Sequence, residues 1–332
     1  MTPLSAQDGR TATGETTLGR RTADWLILNN FLVIFVVLLV IASMLSENFF
    51  TVSNIANLFQ QAAVVGIVAV GMTYVILTAN IDLSVGSMVA FGGMVVAVMM
   101  ADGWDPVLSV LATLALGAAL GAVMGAISAY AAVPSFIITL AGLVSIRGVT
   151  FLMTEGVPVG NLPAAFSAVG SAKLGDAPVM GIIFLAIALV AGLVLRFTVF
   201  GEYVYASGGN AEAARLSGVP TRPVVTAVFA VSGFLSAGAG VLLSSRLRIG
   251  QPTAAEGLEL DAIAAVVLGG TSLFGGRGTI FGTVVAVMLL QVLRNLFNLV
   301  GLGSFYQMTV TGVIIVLALL INRLIDRRAG RG

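Results

Sequence analysis

The 332-residue chain has no cysteine, no histidine and a single lysine, Lys173. The first two absences remove thiol catalysis, disulfides, zinc sites built on Cys or His, and proton relays through imidazole. With no Gly-x-x-x-x-Gly-Lys-Ser/Thr anywhere, the chain cannot cradle a nucleotide in a P-loop, so any ATP it uses must be bound by another subunit. A Gly-x-Ser-x-Gly turn and a His-Glu-x-x-His helix are also missing, which argues against hydrolytic catalysis. Charged residues make up only 9% of the chain and the net charge is +1. That leaves no basic face to displace counterions from nucleic acid phosphates.

What fills the chain is apolar: 58% hydrophobic residues leave too little polar surface for a water-soluble globule of this size. The expected fold is an all-α polytopic membrane protein. Met1 to Asp24 is rich in Thr, Gly and Ser and reads as a disordered tail, and the uncharged run Trp25 to Ser46 reads as a retained anchor rather than a cleaved signal. Further spans are expected within Asn54–Ala79 and Leu83–Ala101. The uncharged stretch Pro106–Ile146 must hold two helices broken at Ala132-Val133-Pro134, the second ending near Thr154. Val179–Leu195, Pro223–Ser245 and Phe305–Ile321 complete the plain spans. Ala262–Leu293 exceeds one span yet falls short of two, and is read as two short or broken helices meeting at Gly275-Gly276-Arg277-Gly278. The total is about ten transmembrane helices in a membrane domain over 25–323, with tails at 1–24 and 324–332. An even count places both termini, with Arg196, Arg215, Arg222 and Arg277, in the cytoplasm, and most carboxylates outside. Arg246 and Arg248 break that pattern and are expected to pair with the acidic residues of their own loop.

One polar stretch interrupts the spans, with a loop expected over 198–222. Gly208 and Gly209 are read as ending the preceding structure. Asn210 can cap the next turn, and Glu212 complements the helix dipole. Ala211, Ala213 and Ala214 favour helix, and Gly218 followed by Pro220 stops it. Such a short helix is marginal alone, so it is expected to dock on something, presenting Glu212 and Arg215. The plainer reading is a connector kept soluble by its charges.

This stretch resembles the cytoplasmic coupling loop of the ribose-type permeases of ATP-binding-cassette importers, a family within the branched-chain amino acid/ribose transport permeases. The family pattern reads here Gly208-Gly209-Asn210-Ala211-Glu212-Ala213-Ala214-Arg215-Leu216-Ser217-Gly218. Three further motifs follow the family in order: Ile81-Asp82-Leu83-Ser84-Val85-Gly86, Pro134-Ser135-Phe136-Ile137-Ile138-Thr139-Leu140 with Arg147-Gly148, and the Gly-rich Leu268–Thr279. The resemblance covers Asn54 to Arg323. It implies the membrane subunit of a sugar-type importer in the bacterial inner membrane, not itself an enzyme and without a cofactor of its own. It further implies a second permease copy, a cytoplasmic ATPase carrying ATP and Mg, and an extracytoplasmic sugar-binding protein.

Among the spans, Asp82 invites two readings: a carboxylate on a solute path, or an N-cap for the helix that follows. Asn80 and Ser84 are candidate neutral groups facing the pathway. Phe136 and Thr139, three residues apart and so on one helical face, are candidate gate residues. Arg147 and Arg294 are read as snorkelling or as pairing with outer carboxylates. Gly117, Gly121 and Gly125 are read as a packing surface within one chain. An ion-coupled secondary transporter is the competing reading, and a membrane-embedded enzyme the third.

Overall fold

A computed structural model describes residues 30–303 together with Tyr306, Thr309, Val310, Gly312 and Val313. Helix α1 (Asn30–Leu45) leads to α2 (Val52–Leu77), whose start is fixed by Thr51, its hydroxyl accepting the Asn54 amide. Next come α3 (Val85–Ala101) and α4 (Pro106–Ala131). Asp105 caps α4, its Oδ1 accepting the amides of Val107 and Leu108 at 2.9 and 3.0 Å, with Pro106 in the first turn. Ala132, in the left-handed region at φ 54°, and Pro134 end α4 where the sequence places the break, and α5 (Ser135–Leu152) begins directly after.

A polar excursion carries α6 (Ala164–Ser171) and a two-stranded antiparallel hairpin of β1 (Lys173–Leu174) and β2 (Ala177–Pro178). The chain continues as α7 (Val179–Phe197), α8 (Val199–Gly209), α9 (Ala211–Leu216) and α10 (Thr221–Leu247). It then forms α11 (Leu258–Leu268) and α12 (Ile280–Leu299).

Helix α2 is the centre of the bundle, buried almost without a break from Ala62 to Leu77. A helix apolar on every side belongs there. Lipid tails are as apolar as leucine, so helices associate in a membrane through close packing of small residues. Contact between α4 and α10 shows this: a Cβ on Gly121 would overlap the Phe229 carbonyl, and one on Gly117 would overlap Ala237. The glycine row of α4 therefore packs within the chain, as expected. At the rim, α4, α5 and α7 expose residues such as Leu111, Val144 and Leu189, surfaces suited to hydrocarbon.

Six helices, α2, α4, α5, α7, α10 and α12, are long and apolar enough to cross a membrane, and α3 and part of α1 are shorter apolar helices. The larger number of spans expected from the sequence is not reached among the described residues. In the Gly-rich region only α11, with 11 residues, is short; α12 has 20. The 1–24 and 324–332 tails lie outside the described residues, as does most of the expected last span.

Candidate functional site

Helix α9 is built largely as its residues dictate. Asn210, in extended backbone, accepts the Ala213 amide on Oδ1 at 2.9 Å. At the other end, the Val219 amide returns to the Ala214 carbonyl and Gly218 adopts φ 87°, the left-handed stop that glycine permits. Arg215 grips Glu212 through Nε to Oε2 at 3.1 Å and Nη2 to Oε1 at 2.6 Å, with both side chains largely exposed. The hydrogen bond from Arg215, then its charge, hold the Glu212 carboxyl below the usual carboxylate range. Leu216 is 74% exposed, an apolar side chain beside an ion pair. Ala213 and Ser217 are also exposed, whereas Ala214 is buried and faces inward.

Gly208 and Gly209 end the preceding structure as expected, but that structure is a helix, α8, where a loop was expected over 198–222. The physical use of Gly208 is close approach, whereas a Cβ on Gly209 would meet nothing within 4 Å. A Cβ on Gly208 would overlap the Leu77 carbonyl oxygen at the end of α2, and one on Gly276 would lie 2.7 Å from the Gly209 Cα. The Gly276 amide donates to the same Leu77 carbonyl at 2.9 Å, and Tyr205 of α8 donates its hydroxyl to the Gly278 carbonyl at 2.8 Å. Three chain segments thus meet at one point: the end of α8, the end of α2 and the Gly-rich segment 269–279. Ala79 adopts φ 59° there, and Gly275 and Gly276 adopt φ 81° and 71°.

Immediately beyond this point lies the loop 78–84, and it gathers most of the residues singled out for a pathway. Asp82 is 1% exposed. Its Oδ1 accepts the amide and hydroxyl of Ser84 at 3.0 and 2.6 Å, and its Oδ2 accepts the hydroxyl of Ser232 on α10 at 2.9 Å. Ser84, not Asp82, occupies the N-cap position of α3, so Asp82 serves the helix start and ties it to α10 as well. Thr139, fully buried, donates to the Ser135 carbonyl and also approaches the Ile81 carbonyl at 3.2 Å. Ser135 accepts the Ile81 amide on its hydroxyl at 3.1 Å. Asn80 donates to the Thr78 carbonyl and hydroxyl. Phe136 is 51% exposed, so the packed face of α5 takes Thr139 and leaves Phe136 outside it.

The sequence reading missed Ser232, Ser135, Leu77 and Tyr205. Each acts across a long stretch of chain through a single hydroxyl or carbonyl, which no local pattern announces. Of the two span arginines, Arg294 pairs with Asp261, as expected. Arg147 instead donates to the Pro252 and Ala254 carbonyls, both at 2.8 Å, holding the 251–257 segment against α5.

No solved structure matches the chain. The chain is 45% identical to a ribose import permease protein of Escherichia coli (strain K12), an alignment that covers 93% of this chain and 98% of the relative. Identity to the ribose import permease protein of Bacillus subtilis (strain 168) is 43%, covering 89% and 92%. A xylose transport system permease protein of Escherichia coli (strain K12) is 35% identical, covering 83% and 86%. The family model described as branched-chain amino acid transport system / permease component matches residues 54–319, which takes in loop 78–84, helices α8 and α9 and the Gly-rich segment alike. With that match and these identities, the chain belongs to the branched-chain amino acid transport system / permease component family.

Proposed function

We propose that this chain is the membrane-spanning permease subunit of an ATP-driven, binding-protein-dependent importer for a sugar or sugar-like solute. Relatives named as ribose and xylose import permeases support a sugar as cargo. The observation that carries the mechanism is α9: a fully capped helix of six residues, too short to persist alone, that exposes Leu216 beside the Glu212–Arg215 pair. Such a face suits a cleft on a separate cytoplasmic ATPase, which holds ATP and Mg. Motion of α9 passes to α8, from α8 through the glycine contact to the end of α2, and from there into loop 78–84, whose Asp82 and Ile81 are bonded to α10 and α5.

In this reading the α8–α9 segment, 1–24 and 324–332 face the cytoplasm, in the inner membrane, while 153–178 faces outward and receives the solute from an extracytoplasmic binding protein. Two copies enclose the pathway. Phe136 and Asn80 border it, while Asp82, Ser84 and Thr139 hold the backbone behind it. The competing ion-coupled mechanism needs a carboxylate free to take an ion, and both oxygens of Asp82 already accept hydroxyl hydrogens.

The test is Arg215→Glu combined with Leu216→Asp, since Ala214 is buried and its replacement would disturb α9 itself. The double variant is expected to accumulate in the membrane like wild type but to lose ATPase retention on the purified permease and solute uptake. Normal uptake would reduce the segment to a connector and overturn the reading.

A further inference from the structure

The end of the bundle away from α8 and α9 carries an open cavity of about 260 Å3 between α2, α10, α11 and α12. Its polar lining comes from Gln61, Arg246, Gln291, Arg294 and Asn298. A water takes up about 30 Å3 in the liquid, so the space exceeds one water several times over. Arg294 donates Nη2 to Asp261 Oδ1, which leaves its other guanidinium hydrogens for a second acceptor. Gln291 donates to the Gln61 carbonyl oxygen at 3.0 Å, which leaves the Gln61 amide hydrogens for another acceptor. Arg246 was expected to pair with an acidic neighbour; among the described residues its guanidinium makes no hydrogen bond and no ion pair.

The cavity thus has a surplus of donors and an excess positive charge: two guanidinium groups face one carboxylate. A cation drawn partly out of water is costly until an anion or acceptor meets it. A guanidinium fork matches the oxygens of a phosphate, and a second guanidinium and an amide in the same wall add donors from other directions. We propose that this cavity binds a phosphate group between Arg246 and Arg294, with Gln61 as a further donor, the group being either free inorganic phosphate or the headgroup of an anionic lipid. The site goes beyond the transport reading and does not depend on it.

Purified full-length chain in phosphatidylcholine nanodiscs would be followed by thermal unfolding as inorganic phosphate is titrated at constant ionic strength. A second arm varies the fraction of phosphatidylglycerol with no phosphate present. Wild type is expected to gain Tm saturably in one arm, and the arm that responds names the source. Arg246→Gln is expected to lose that response, and Arg246→Lys, which keeps the charge without the fork, to need about tenfold more ligand. No wild-type response in either arm, or an equal response in Arg246→Gln, overturns the site. Should Arg246→Gln fail to fold, an unchanged midpoint in Arg246→Lys overturns it instead.

Discussion

Two of the contacts that depend on glycine in this protein differ in how far they extend. Along α4, Gly117, Gly121 and Gly125 lie one turn apart and let α10 approach over the length of two long helices. At the end of α8, Gly208 lets three segments touch at one place, together with Gly276, whose amide meets the Leu77 carbonyl. The first contact is extended, and moving it would separate many atoms at once. The second is a point, and a small rotation of α8 would alter it. Glycine alone does not distinguish a seam from a joint; the number of turns engaged does.

Gly121→Leu is expected to have the largest effect, since a side chain there meets the Phe229 backbone, which cannot step aside. Overpacking typically costs about 1–3 kcal/mol and more where backbone opposes it. The variant should be absent from the membrane fraction on immunoblotting; normal accumulation would mean that the seam is looser than the backbone separation implies. Gly208→Val should separate the two contacts. A side chain there also meets backbone, the Leu77 carbonyl oxygen, but at one point rather than along a seam. Accumulation is therefore expected to fall less than in Gly121→Leu, while uptake by the protein that does accumulate falls about tenfold, an ordinary magnitude for coupling between distant sites. Loss of folding comparable to Gly121→Leu would erase the distinction.

How much of this was legible varied with distance along the chain. Asn210, Glu212 and Gly218 were readable because a cap, a first-turn acid and a left-handed stop act on neighbours within one helix. Helix α8 was not, because its stretch reads as loop, although the Gly-Gly pair does mark where it ends. That Gly208 also admits the Leu77 carbonyl is a contact with a distant segment that no local pattern announces. The spacing of Phe136 and Thr139 put both on α5, but spacing alone did not show that the edge of the packed face runs between them, with Thr139 buried and Phe136 exposed. Ser232 lies 150 residues from Asp82, and one serine in a span carries no signal of its partner.

The smallest expected effect is on α9. Glu212 has a folded-state pKa below its ordinary value, so stabilisation by its pair with Arg215 is complete at neutral pH and is lost as pH falls through that depressed value. The Tm difference between wild type and Glu212→Gln should be slight at pH 7, since exposed pairs contribute little, and should vanish only below about pH 4. A difference that already disappears near neutrality would mean that the pair does not form in solution, and would leave the exposed face of α9 without its fixed charge pattern.

The Leu77 carbonyl gives the junction a mechanical character. It belongs to the last turn of α2, where no amide of its own helix is left to meet it, and it is met by Gly276, far along the chain. A buried carbonyl left without a donor costs about 1–3 kcal/mol. Halfway positions, with this bond stretched and no other donor in reach, are therefore the least favourable ones. Any motion that parts Gly276 from Leu77 has to break this bond, so the closed junction is favoured until another donor meets the carbonyl.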